Sequence, residues 1–154
     1  MRSRFLIPIP SARATVLILT TAVLSGCQTL SSGGLVASSA PAELSAPAAS
    51  AVAGDLVPRF AEQIGPGTAT IVLNSDGSAF GSALESSLRT WGYAVTTDED
   101  AKDTKAIRLA YVLLPADGQV LARLSTGSME IGRVYTMTSS GAAPASPVSV
   151  MKRG

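Results

Sequence analysis

The sequence predicts a small α+β domain whose main elements follow the order α-β-α-β-β-β. Two helices pack on a mainly antiparallel sheet, and disordered segments flank the core. Three observations predict this. Apolar residues recur at helical spacing in two stretches, Leu56-Phe60-Ile64 and Phe80-Leu84-Leu88-Trp91. Downstream, apolar residues alternate at strand spacing between turn signals. The composition changes sharply at Asp55 and again after Thr138, where Ser, Ala, Gly and Pro take over.

Each element follows from its residues. In DLVPRFAEQIG, Asp55 can cap a helix, Pro58 falls in its first turn, where a missing N–H costs little, and Gly65-Pro66 ends it. The β-branched run Thr68–Leu73 predicts a strand, and Asn74-Ser75-Asp76-Gly77 a turn. Ser78, or a turn residue before it, caps the second helix, which stops at Gly92. Tyr93–Thr96 is a short additional strand, and Thr97–Lys105 a charged loop. A three-stranded meander follows. Ile107–Leu114 alternates, Pro115-Ala116-Asp117-Gly118 is a hairpin signal, Gln119–Ser125 pairs back, Thr126-Gly127-Ser128 turns, and Met129–Thr138 closes it.

The remaining residues divide into three segments. Residues 1–26 have the form of a signal peptide: Arg2 and Arg4 precede an apolar stretch, Ala14–Leu24, that is too short to cross a bilayer core of roughly 30 Å. Leu24-Ser25-Gly26-Cys27 then resembles the lipobox of bacterial lipoproteins. The resemblance implies recognition of Leu24, Ser25 and Gly26 by the signal peptidase, cleavage before Cys27, and acylation of Cys27, the only cysteine in the chain. Acyl chains anchor at about 0.8 kcal/mol per buried methylene. Gln28, in place of an aspartate, resembles the outer-membrane sorting pattern. Residues 27–54 are expected to be a lipidated flexible tether with a mean reach of roughly 25–30 Å. The domain proper is expected over 55–138, with a disordered tail at 139–154.

Composition narrows the function. The chain has 154 residues and no histidine, which removes His-based triads and His-ligated metals. Losing Arg2, Arg4 and Arg13 with the signal leaves nine of the 12 basic residues against 11 acidic ones, a net charge of −2. That balance carries no basic patch for nucleic acid. Gly77–Ser82 opens a helix after a strand but lacks the phosphate-loop patterns. Asp98, Glu99, Asp100 and Asp103 lack the spacing of a calcium loop. Glu62 and Glu85 are expected as surface charges, and Trp91 and Tyr93 as core aromatics. No catalytic, cofactor-binding or metal-binding residue is assigned, and the expectation is a non-enzyme without a cofactor.

The segment LVPRFAEQIGPGTATIVLNSDGSAFGSALESSLRTWGYAV, Leu56 to Val95, together with the lipobox, resembles the conjugal transfer lipoprotein family TrbH. Agreement is weaker through the Ile107–Met137 strands. The family has no catalytic motif, so only Cys27 carries over by position. The resemblance implies an outer-membrane lipoprotein of the mating-pair formation apparatus, a plasmid-encoded type IV secretion channel, with a structural role. Its partners would be the membrane, through Cys27, and other channel subunits. The element order is also similar to small ring-packing domains of secretins and secretion lipoproteins, in topology alone. A periplasmic envelope-maintenance or ligand-binding lipoprotein unrelated to conjugation is the alternative.

Overall fold

A computed structural model of the chain describes residues 37–41, 43–67, 69–97 and 105–153. The elements run α1 (Ala46–Ile64), β1 (Thr70–Leu73), α2 (Ala79–Thr90), β2 (Ala94–Thr96), β3 (Ile107–Ala116), β4 (Gln119–Ser125), β5 (Met129–Thr138), β6 (Gly141–Pro144) and β7 (Ser149–Lys152). The fold is α+β, as the sequence predicts. Its mixed, mainly antiparallel sheet has the strand order β2-β1-β3-β4-β5-β6, and β7 also pairs with β5.

A crossover helix explains why β2 runs parallel to β1. α2 crosses from the end of β1 back to the start of β2, so Thr70 lies beside Ala94, and β3 pairs with β1 in the same sense, Ile71 beside Ile107. From β3 onward the turns are tight and the pairing antiparallel, with Leu114 opposite Leu121 and Leu121 opposite Val134. The β3–β4 turn places Asp117 at φ 47° and Gly118 at φ 75°, the left-handed pair that a two-residue hairpin requires.

Both helices cover one face of the sheet. Val52, Leu56 and Phe60 of α1 and Phe80, Leu84 and Leu88 of α2 meet Ile71, Leu109, Tyr111, Leu124, Ile131 and Tyr135, all fully buried. Tyr93 is buried edge-on against Phe60, with ring centroids 6.3 Å apart, and its hydroxyl donates to the Gly65 carbonyl. Trp91, expected in the core, is instead 42% exposed, because it caps the C-terminus of α2 beyond the last core-facing turn.

Two expectations for the flanks need correction. The segment expected as tether, 27–54, already contains the first nine residues of α1. Ser45, not Asp55, is the N-cap; its hydroxyl accepts the Ala48 N–H, and Pro47 occupies the first turn. Ala48, Ala49, Val52 and Ala53 are buried, so an alanine-rich stretch that cannot build a core by itself becomes a close-packing surface against a sheet. Pro58 lies inside the helix rather than in its first turn. Having no N–H, the proline cannot make the usual helical bond to the carbonyl four residues earlier, that of Gly54. The tail expected to be disordered, 139–154, forms β6 and β7, which pair with successive halves of the free edge of β5. Backbone pairing needs no particular side chains, so small residues do it as well as large ones.

Candidate functional site

Cys27 and the residues before it, Leu24, Ser25 and Gly26, lie outside the described residues, as does the acidic loop at Asp98–Asp103. What the structure describes is the point at which the chain coming from Cys27 joins the domain. β1 covers only the first residues of β3. Beyond it, Ser39 takes the vacant edge as a parallel bridge to Val112. Its N–H donates to the Tyr111 carbonyl at 3.0 Å, and its carbonyl accepts the Leu113 N–H at 2.9 Å. Ser38 Oγ accepts the Tyr111 N–H at 3.1 Å.

Side chains of the β1–α2 turn complete this clip. Gly77, at φ 74°, lets the chain reverse, which aims the Asp76 carboxylate back at the sheet. One Asp76 oxygen accepts the Ser78 N–H at 2.9 Å and the Tyr111 hydroxyl; the other accepts the Ala40 N–H at 2.8 Å. The Asp76 N–H donates to Tyr111 Oη at 3.2 Å. Ser78 caps α2 through the Gly81 N–H at 3.1 Å, with its hydroxyl 3.3 Å from Tyr111 Oη. The Tyr111 ring is fully buried and stands edge-on to Phe80 at 5.0 Å.

The electrostatics suit a fastening. Burial pushes Asp76 upward, but the hydrogen bonds from Ser78, Tyr111 and Ala40 outweigh it and hold its carboxyl below the usual value of 3.8. Burial first, and then the Asp76 hydrogen bond, raise Tyr111 above its usual 10.0. The carboxylate therefore stays charged and the phenol neutral through the whole neutral range. The Tyr111 hydroxyl and the Asp76 carboxylate occupy the mouth of α2, where a phosphate loop would hold its ligand. A β-carbon at Gly81 would collide with Tyr111 Oη and Ser75 Oγ.

A second network fastens α1. Both Asp55 oxygens accept from Arg133 Nη1, at 3.1 and 2.9 Å, and Oδ2 also accepts the Tyr135 hydroxyl at 2.7 Å. Arg133 Nε donates to the Ser146 carbonyl at 2.7 Å, which ties in the β6–β7 connection. Burial, then the Asp55 hydrogen bond and charge, hold Tyr135 far above its usual pKa. The sequence leads one to expect Asp55 at a helix cap, Asp76 in a turn, and Tyr111, Arg133 and Tyr135 as ordinary strand residues. Their partners lie 35 to 80 residues away, and no local pattern signals such pairs. Glu62 and Glu85 are surface charges, each paired within its own helix, to Arg59 and Arg89.

A groove of about 380 Å³ lies between the start of α1 and the β3–β4 hairpin; Leu44, Ala48, Val120 and Met137 are among its lining residues. Among the described residues, no three Asp, Glu or Cys side chains converge on a metal position. No described helix is long and apolar enough to cross a membrane.

Comparison with known proteins identifies the chain. The family described as "Conjugal transfer protein TrbH" matches residues 30–154. A relative from Sinorhizobium fredii (strain NBRC 101917 / NGR234), named "Probable conjugal transfer protein TrbH", is 54% identical over 140 residues, covering 88% of this chain and 94% of its own. No solved structure matches. The match runs through the clip, both helices and every strand, and the chain belongs to the TrbH family of conjugal transfer proteins.

Proposed function

We propose that this protein is a lipid-anchored, non-enzymatic subunit of the mating-pair formation apparatus. In this reading it is held on the periplasmic face of the outer membrane by acylated Cys27 and positions neighbouring channel subunits for DNA transfer. The family supports the conjugative role. The lipobox Leu24-Ser25-Gly26-Cys27 and Gln28 support the anchor and its sorting.

The observation that carries the reading is the clip at Ser38–Ala40. Only eleven residue steps separate Cys27 from Ser38. At about 3.3–3.6 Å per residue they reach at most roughly 40 Å. The chain from the lipid is thus stitched into the centre of a sheet rather than leading to a distant domain. Such an attachment holds a rigid body close to the bilayer, which a positioning subunit needs and a freely ranging binding protein does not.

Mating assays test this with a deletion strain complemented by wild-type or Cys27→Ala protein. The expected result is loss of transfer in the deletion, restoration by the wild type only, and labelled palmitate incorporated into the wild type but not into Cys27→Ala. Normal transfer with an expressed, unacylated Cys27→Ala chain would refute the anchored role. Undiminished transfer in the deletion would favour an envelope lipoprotein unrelated to conjugation.

A further inference from the structure

Almost every charged side chain among the described residues has a partner. Asp55, Glu62, Glu85 and Glu130 each face an arginine, and Asp76 is held in the clip. Lys105 and Arg108 are engaged as well. Three charged side chains among the described residues make no hydrogen bond or ion pair: Glu43, Asp117 and Lys152.

The two acids share one place. Both line the groove between the start of α1 and the β3–β4 hairpin, together with the buried Leu44 and Val120 and the half-buried Met137. No basic residue lines it. At about 380 Å³ it is at the small end of binding sites. It offers an apolar floor and two unneutralised carboxylates, so it suits an occupant that is small, apolar and basic.

The unpaired base sits in such surroundings. Side chains alternate along a strand, so Val150 and Lys152 share one face of β7, opposite Ile131 and Met129 of β5. Both are exposed, Val150 at 43%. Arg153 beside them is neutralised on Glu130 at 3.1 Å. Basic residues on a short edge strand discourage backbone pairing, so what β7 offers a partner is these side chains.

One molecule cannot bring the two features together. β5 runs from Met129, opposite Lys152, to Thr138, which lines the groove. Nine residue steps at about 3.3 Å separate them by roughly 30 Å, beyond the reach of a side chain.

We propose that the groove receives Val150 and Lys152 of a second copy. Val150 packs on Leu44, Val120 and Met137, and the Lys152 ammonium lies between Glu43 and Asp117. Charge complementarity selects this occupant, because the contact pairs the charges that each copy leaves unpaired. Groove and occupant are different surfaces, so the contact is head-to-tail and repeats from copy to copy. The inference rests on the anchored reading, since two side chains in a groove bury less than the roughly 1,000 Å² of a stable interface in solution. Anchors within about 40 Å of their domains supply the missing local concentration.

A zero-length carbodiimide, which condenses an amine with a carboxylate in contact with it, tests this in membranes of cells making the full chain. The expected product is a ladder of dimers and higher oligomers whose linked peptides join Lys152 to Glu43 or Asp117. The separation within one chain makes every such link intermolecular. Pro115→Trp fills the groove from an exposed wall and leaves all three charges in place; it is expected to lower the link about tenfold. Exchanging the charges, Lys152→Asp together with Asp117→Lys, tests the same contact without filling it and is expected to restore the ladder through a link between the exchanged positions. The absence of any link from Lys152 to Glu43 or Asp117 would overturn the proposal, as would a link as strong in Pro115→Trp as in the wild type, or Lys152 joined to other proteins alone. The mass of the Cys27 fragment from the same membranes separates the two failures. A free thiol there overturns the anchored reading, whereas an acylated Cys27 without the Lys152 link overturns the docking.

Discussion

The two ends of the described chain join the same sheet by opposite means. The N-terminal end is held by one β-bridge and by side chains: Ser38, and an Asp76 carboxylate braced by Tyr111. The C-terminal end is held by a four-residue backbone ladder, with Arg153 added on Glu130 and on the Thr126 carbonyl. A fastening made of a few directed contacts to a charged group depends on single residues and on pH. A ladder spreads its hold over groups that every residue carries. In the proposed reading, the difference suits an end that leads toward an anchor, where one position and direction must be fixed.

The sharpest way to break the N-terminal fastening is Tyr111→Ala. It removes a fully buried ring packed on Phe80 as well as the hydroxyl, and a loss of about 3–5 kcal/mol is expected in denaturant melts. Tyr111→Phe separates the two roles. It keeps the ring and is expected to cost about 1–2 kcal/mol, with faster amide exchange at Ser39 and Leu113 and little change at Met151, whose N–H faces β5.

Asp76→Asn makes the contrast pH-dependent. The folded pKa of Asp76 lies below 3.8, so its contribution is complete above about 3.8 and fades as pH falls through the lower folded value. Acid is therefore expected to loosen Ser39 and Ala40 before the β7 amides in the wild type, and to lose that selectivity in Asp76→Asn. Amide exchange followed down a pH series reads both. The tyrosines act in the opposite direction. Tyr111 and Tyr135 titrate above their usual 10.0 when folded, so their contribution is full below pH 10 and lost above it, and phenolate absorbance should rise together with unfolding.

The smallest effect is expected at the C-terminal end. Arg153→Ala removes a half-exposed ion pair and should cost about 0.5 kcal/mol, because Arg123 also holds Glu130 and the ladder persists. A loss above about 2 kcal/mol in thermal melts would show that β7 hangs on its side chains, and the comparison between the two ends would fail.

Much of the fold was legible in the sequence because local periodicity reports burial on one face. Leu56-Phe60-Ile64, Phe80-Leu84-Leu88 and the alternating residues of β3 to β5 gave helices and strands close to where the structure has them. The first nine residues of α1 were not legible. Alanine, serine and proline are also what a tether is made of, and only the facing strands distinguish a packed alanine from a solvated one. β6 and β7 were hidden for a related reason, since their pairing uses backbone that every sequence has. The clip was half visible: Asn74–Gly77 signalled a turn and Ser78 a cap, but Tyr111 looked like one more core residue of an alternating strand.

By itself, then, the sequence determined the two amphipathic helices, the meander, the turn at Gly77 and the family resemblance, all carried by residues near one another in the chain. Only the tertiary structure decided which carboxylate meets which tyrosine, where the chain from Cys27 enters the sheet, and which charges are left unpaired. Those depend on groups brought together from distant positions, where geometry rather than composition sets the free energy.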